Sequence, residues 1–194
     1  MSALPGVLAA HVRGSASADA APWNAADKHA SITLSNADYT ADGTGYAQSV
    51  RGVSGRATGK WYFEVQRNEG AAPSFVVVGV CLASSSLSQY VGGDEYGWGR
   101  ANTGHHYHDG GGTDLGTDVN LDQIWMVAID IDAGKLWLGR QSIWDASGDP
   151  AAGANEAFSV PVGTYYPACS PRTDALTMLA TPTFTPPPGF LIWS

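Results

Sequence analysis

Positive charge is scarce in this chain: 10 Lys plus Arg face 18 Asp plus Glu, giving a formal net charge of −8. A phosphate backbone would be repelled on balance, so nucleic acid is not an expected partner. Charged residues of both signs make up only 14% of the 194 residues, and no long stretch carries the 3.6-residue apolar period of an amphipathic helix. Cysteine is limited to Cys81 and Cys169, each inside an apolar, strand-like segment (VVVGVCLA and YYPACS). Two buried thiols are expected there rather than a disulfide, and neither cysteine has metal-ligand spacing. No apolar run reaches the length of a membrane-spanning helix, so membrane insertion is not expected. The first residues offer small side chains near Ala18 and Ala20 but no basic leader, and their apolar run is broken by Pro5 and Gly6. They read as a mature arm rather than a signal peptide.

What is abundant points to short strands joined by turns. There are 24 Gly and 11 Pro, and 44% of residues are hydrophobic, with 7 Trp, 8 Tyr and 5 Phe. This is ample material for one all-β sandwich. Residues 1–22 are Ala/Gly/Ser-rich and read as an arm or linker, with the sandwich spanning 23–194. Strands are expected at 31–34, 46–50, 59–67, 75–82, 96–100, 105–107, 158–160, 165–170 and 175–179. In GKWYFEVQR, Trp61, Phe63 and Val65 alternate with Tyr62, Glu64 and Gln66, which predicts one buried and one wet face. Phe75 to Leu82 is continuously apolar, as for a strand covered on both sides, and Gly79 within it marks a close approach by another segment. The clearest punctuation is IWMVAIDIDAGKLWLGRQSIWDASGDP, residues 124–150. Trp125, Val127, Ile129 and Ile131 share one face, Gly134 closes a hairpin, and Leu136 to Leu138 begin the return strand. The final TPTFTPPPGFLIW cannot form an interior ladder strand, because proline lacks the N–H. It predicts an extended strap whose Phe184, Phe190 and Trp193 fill apolar grooves.

Taken in order, GKWYFEV (59–65), VGV (78–80), IWMVAIDIDAGKLWLG (124–139) and YYPACS (165–170) resemble a SPRY domain, the β-sandwich core of B30.2. The resemblance implies an all-β, concanavalin/SPRY-like antiparallel sandwich covering residues 23–193. It implies binding rather than catalysis, with loops at one edge forming a shallow pocket for a peptide or another protein, while the related concanavalin-like sandwiches include many glycan binders. Trp23-Asn24 with Asp27-Lys28, ITLSN (32–36), W-x-x-SGDPAAG (144–153) and TPPPGF (185–190) look like SPRY-type proteins of tailed bacteriophages. That likeness implies a virion component of the tail fibre, tail tip or capsid surface. It would be assembled in the host cytoplasm and would contact other virion proteins or a host-surface glycan or protein, a homotrimer suiting either place. A purely structural virion subunit is the alternative. In such phage chains the loop before Trp144 commonly reads Asn-Gly, where this chain has Gln141-Ser142-Ile143.

No cofactor is expected, and catalysis finds little support. A glycosidase needs two carboxylates flanking the scissile bond. The acidic groups on offer are Asp94 with Glu95, Glu64, and Asp130 with Asp132, the last two read as solvated turn groups. No Ser, Cys or His lies in a nucleophile-elbow or triad context. GHHYHDGGG (104–112) crowds His105, His106, His108 and Asp109 together, and His106 with His108 on one strand face could hold zinc or nickel. Its polarity and glycines make a mobile binding rim the preferred reading, with His106 and Tyr107 exposed. Ligand contacts are therefore expected from Tyr90, Tyr96, His106, Tyr107, His108, Asp109, Gln141 and Trp144. Trp98, Trp125 and Trp137 are expected in the core, and core packing is also the preferred reading for Trp144.

Overall fold

The computed structural model describes residues 19–70 and 75–194. In chain order its strands are β1 (Trp23–Lys28), β2 (Thr33–Ser35), β3 (Thr40–Asp42), β4 (Val50–Gly52), β5 (Lys60–Gly70), β6 (Val77–Leu82), β7 (Gly97–Ala101) and β8 (His105–His108). There follow β9 (Gly111–Asp114), β10 (Ile124–Asp130), β11 (Lys135–Arg140), β12 (Ile143–Trp144), a single 3-10 turn at Asp145–Ser147, β13 (Phe158–Ser159), β14 (Tyr165–Ser170), β15 (Asp174–Met178) and β16 (Leu191–Ile192). They form two stacked sheets. The first runs β1-β4-β14-β6-β7-β8-β9, and the second β12-β11-β10-β5-β15-β3-β2, with β13 also on β11 and β16 on β5. Every pairing is antiparallel except that of β16 with β5. Most of residues 1–22, expected as an arm, lies outside the described residues. Of the remainder, Ala20 is buried, and the N–H groups of Ala20 and Ala21 donate to the carbonyls of Ala180 and Trp193.

The alternation in the sequence sets which side chains meet between the sheets. Phe63 and Val65 of β5, Trp125, Val127 and Ile129 of β10, and Leu136 and Leu138 of β11 face Val78 and Val80 of β6, Trp98 of β7 and Tyr165 of β14 in one continuous core. The β10/β11 hairpin is in register from Trp125 opposite Arg140 to Asp130 opposite Lys135, and Gly134 takes the positive φ of 65° that closes it. Cys81 and Cys169 are both free and buried. They lie on opposite faces of the first sheet, Cys169 in the central core and Cys81 on the outer side, which excludes a bond between them.

Neither outer face is bare. Over the second sheet, the strap lays Phe184 and Phe190 on Tyr62, Met126, Ala128, Trp137 and Trp144, while Trp193 turns into the central core. The expectation of a wet face on β5 is therefore wrong. Tyr62 and Glu64 are both fully buried, because a segment distant in sequence covers them. Over the first sheet, the segment after β6 lies flat: a Cβ at Gly99 would stand 2.8 Å from the Val91 carbonyl oxygen. At Gly79 a Cβ would run into the Trp98 backbone of the neighbouring β7, so the close approach expected there is made by an adjacent strand.

Other local differences have physical reasons. The strand expected over 46–50 starts only at Val50. Before it, the buried Gln48 side chain donates to the carbonyls of Gly45 (2.8 Å) and Arg172 (3.1 Å) and so fixes residues 43–49 as a loop. β1, β3 and the glycine-rich β9 carry no apolar alternation, and their ladder hydrogen bonds come from partners the sequence does not place. Asp130 is not a solvated turn group: it is buried, pairs with Lys60 at 2.9 Å, and accepts from the Ala133 N–H at 3.0 Å.

Candidate functional site

The side chains expected to form one site are distributed over three places by the strand period. On β8, His106 and His108 point inward, whereas His105 and Tyr107 point outward. His106 is 1% exposed, so its expected place on an exposed rim is overturned. Its Nε2 lies 2.7 Å from the Asp145 carboxylate, which also takes the Arg100 guanidinium. Arg100 donates further to the Thr117 carbonyl. This triad joins β7 and β8 of the first sheet to the turn after β12 of the second. Burial by itself would push the Asp145 carboxyl up, but hydrogen bonds from His106 and Arg100, with their charges, hold it below the ordinary carboxylate value. His108 stacks on Trp98 at 4.6 Å between ring centroids, with its Nδ1 2.9 Å from the Gly97 carbonyl oxygen. With these nitrogens engaged, no cluster of three or more His, Cys, Asp or Glu able to hold a metal forms among the described residues.

Gln141 and Trp144 belong to the second sheet. The Gln141 side chain accepts the Ile124 N–H at 2.9 Å, capping the start of β10, and Trp144 sits half-buried against the edge of Tyr62. The turn at Gln141 and Ser142 has φ values of 47° and 64°. Two left-handed residues are what an Asn-Gly hairpin turn would supply, so the loop keeps that geometry with a different sequence. Tyr96 and Asp109 are exposed, and the Asp109 N–H is held by the Asp94 carbonyl. Neither joins the aromatic cluster described next.

That cluster lies outward on the first sheet, where four rings converge from separate parts of the chain. Phe75, Tyr90 and Tyr107 meet edge to face, with all three centroid distances between 5.4 and 5.5 Å. Tyr46, 55% exposed, stacks on Phe75 at 5.6 Å and 10°. The Arg172 guanidinium lies 4.6 Å from the Tyr46 centroid, and His105 stacks beside Tyr107 at 6.2 Å. Small residues make room: a Cβ on Gly112 would stand 2.6 Å from the Tyr107 ring. Burial and then the neighbouring phenols raise Tyr90, and likewise Tyr107, so both hydroxyls stay protonated at neutral pH. Among the described residues, no hydrogen bond engages the hydroxyls of Tyr46, Tyr90 or Tyr107. Sequence reasoning found Tyr90 and Tyr107 but missed Tyr46, Phe75 and Arg172. The polar, glycine-rich setting of Tyr46 was a usable signal of exposure, whereas nothing local connects it to Arg172.

Comparison with solved structures decides what this architecture is. The chain superposes on the SPRY domain of human HERC1 with a TM-score of 0.69 at 12% identity, covering 84% of this chain and 99% of that one. The fold is SPRY-like. The PSpry domain of TRIM65 agrees at a TM-score of 0.64 and 13% identity, over 82% of this chain and 92% of that one. Stonustoxin agrees at 0.59 and 17%, over 81% of this chain and 26% of the toxin chain. No protein-family model matches the chain, and no curated protein matches it in sequence. The SPRY-like sandwich thus stands on geometry, and these neighbours lend no support to a phage assignment.

Proposed function

We propose that this protein is a binding module that takes a segment of a partner protein on the surface formed by Tyr46, Phe75, Tyr90, Tyr107 and Arg172. The observation that carries this reading is the convergence of four aromatic rings and an arginine at the surface, with three phenol hydroxyls open to a ligand. Tyr and Arg supply much of the energy at protein interfaces, since each combines a broad apolar surface with polar contacts. A glycan is the weaker candidate, because a sugar needs an open ring face. Here the rings of Phe75, Tyr90 and Tyr107 are turned against one another, and Tyr46 is already stacked. Chemistry is not favoured either. Asp145, Glu64 and Asp130 are buried in structural contacts, and burial pushes the Cys81 thiol up to about 12.

The test presents the purified protein to peptide and glycan arrays beside Tyr46→Ser, Tyr107→Ser and Trp144→Ala variants. Peptide binding that falls about tenfold or more in the first two variants and persists in the third is the expected outcome. Binding to glycans alone would replace the protein ligand with a sugar. A virion setting draws on the phage-like details at Trp23, Asn24 and residues 144–153 and 185–190. Immunogold labelling of native particles checks it, and a protein found only in the soluble fraction of the producing cell would remove it.

A further inference from the structure

Basic residues are few in this chain, and Arg172 lies beside the aromatic cluster. Arg51, Arg67, Arg100, Lys60 and Lys135 are each paired with a carboxylate. Arg172 pairs with none among the described residues, as is also true of Lys28 and Arg140, and it lies over Tyr46 as Arg56 lies over Trp61. It also occupies the left-handed region at φ 51°, which favours glycine. Gln48 holds it there: one amide donates to the Arg172 carbonyl and to that of Gly45, so a single buried side chain positions both the arginine and the Tyr46 loop. The guanidinium is thus held at the edge of the ring cluster with no carboxylate on it, which leaves its N–H groups free to meet a ligand.

We propose that this surface selects an extended peptide segment in which one carboxylate lies next to an aromatic or aliphatic side chain. The proposal rests on the docking reading above. The guanidinium would take the carboxylate in a paired, two-N–H contact, which lysine could not reproduce. The edges of Phe75, Tyr90 and Tyr107 would take the apolar side chain, and the phenol hydroxyls would donate to the segment's backbone carbonyls. The net charge of −8 opposes a long acidic run at a distance, so the segment carries one or two carboxylates rather than a block.

Fluorescence polarisation with acetylated, amidated ten-residue peptides tests this, in three matched sets with Asp or Glu, Asn or Gln, or Lys beside the same apolar residue. The full chain is compared with Arg172→Gln, Arg172→Gly and Tyr107→Ser. Expected is about tenfold tighter binding of the acidic set, lost in both Arg172 variants. Arg172→Gly should melt no lower than the wild type, which separates lost recognition from lost folding. Equal affinity for the amide set, or an acidic preference that survives Arg172→Gln, overturns the proposal. If that binding still disappears in Tyr107→Ser, the docking surface stands without acid selectivity. If no set binds in a Tyr107-dependent way, the docking reading falls as well.

Discussion

Asp145 occupies a place where a carboxylate cannot be solvated, and it is tolerated there because Arg100 and His106 both bond to it. Removing one member leaves the others buried and uncompensated, so Asp145→Asn should destabilise the fold by about 3–5 kcal/mol at neutral pH. The folded-state carboxyl titrates below its ordinary value of 3.8. Its stabilisation is therefore present above that value and lost as pH falls through the lower, folded one. Urea titrations from pH 7 down to 2.5 should show the gap between wild type and Asp145→Asn closing only at the acid end. A gap that is constant with pH would mean that the triad does not depend on the charge. Ser142 gives a change of opposite sign. Its φ of 64° strains any residue with a Cβ, so Ser142→Gly should stabilise by about 1 kcal/mol, read as a rise in melting temperature.

Among the elements, the strap decides most about the second sheet. Its prolines cannot enter a ladder, so before Leu191–Ile192 pair with β5 it is held by side chains and by Glu64, whose carboxylate accepts the N–H groups of Thr183 (2.7 Å) and Phe184 (2.9 Å) and the Tyr62 hydroxyl (2.5 Å). Burial pushes the Glu64 carboxyl above its ordinary 4.5, and those three hydrogen bonds pull it partly back. For a carboxyl raised in this way, the favourable contribution is present below 4.5 and is lost as pH rises through the folded value. The stability of the wild type relative to Glu64→Gln should thus decline from pH 4 upward, and an increase would contradict the assignment. Phe190→Ala, which empties the groove over Trp137, should cost about 3–5 kcal/mol in denaturant unfolding.

At the scale of the whole molecule, one core cluster draws side chains from both sheets and from the strap through Trp193. Unfolding should therefore be a single cooperative transition, with tryptophan fluorescence and far-ultraviolet circular dichroism coinciding in urea. Two separated transitions would show that a sheet or the strap unfolds on its own. The proposed binding surface depends on this same cooperativity. Tyr46, Phe75, Tyr90, Tyr107 and Arg172 come from separate segments, and the sandwich sets their spacing.

The two-sheet architecture was legible because alternation is a local property. Trp125, Val127 and Ile129 declare their shared face within a few residues, Gly134 declares the turn, and the prolines declare the strap. The same period correctly put His106 and His108 on one face of β8. Whether that face was wet or buried depended on Asp145, 39 residues further along, and nothing within β8 encodes that. Glu64 was misplaced for the same reason, since its cover arrives from Thr183 and Phe184. Of the candidate site, Tyr90 and Tyr107 were readable as aromatic residues in polar surroundings. Tyr46, Phe75 and Arg172 joined them only in three dimensions. The sequence by itself determined the fold class, the main hairpin, two separate buried thiols and the strap, all of which follow from short-range pattern and backbone chemistry. Only the tertiary structure decided which polar residues are buried and which aromatics meet, because those outcomes depend on contacts between segments far apart in the chain.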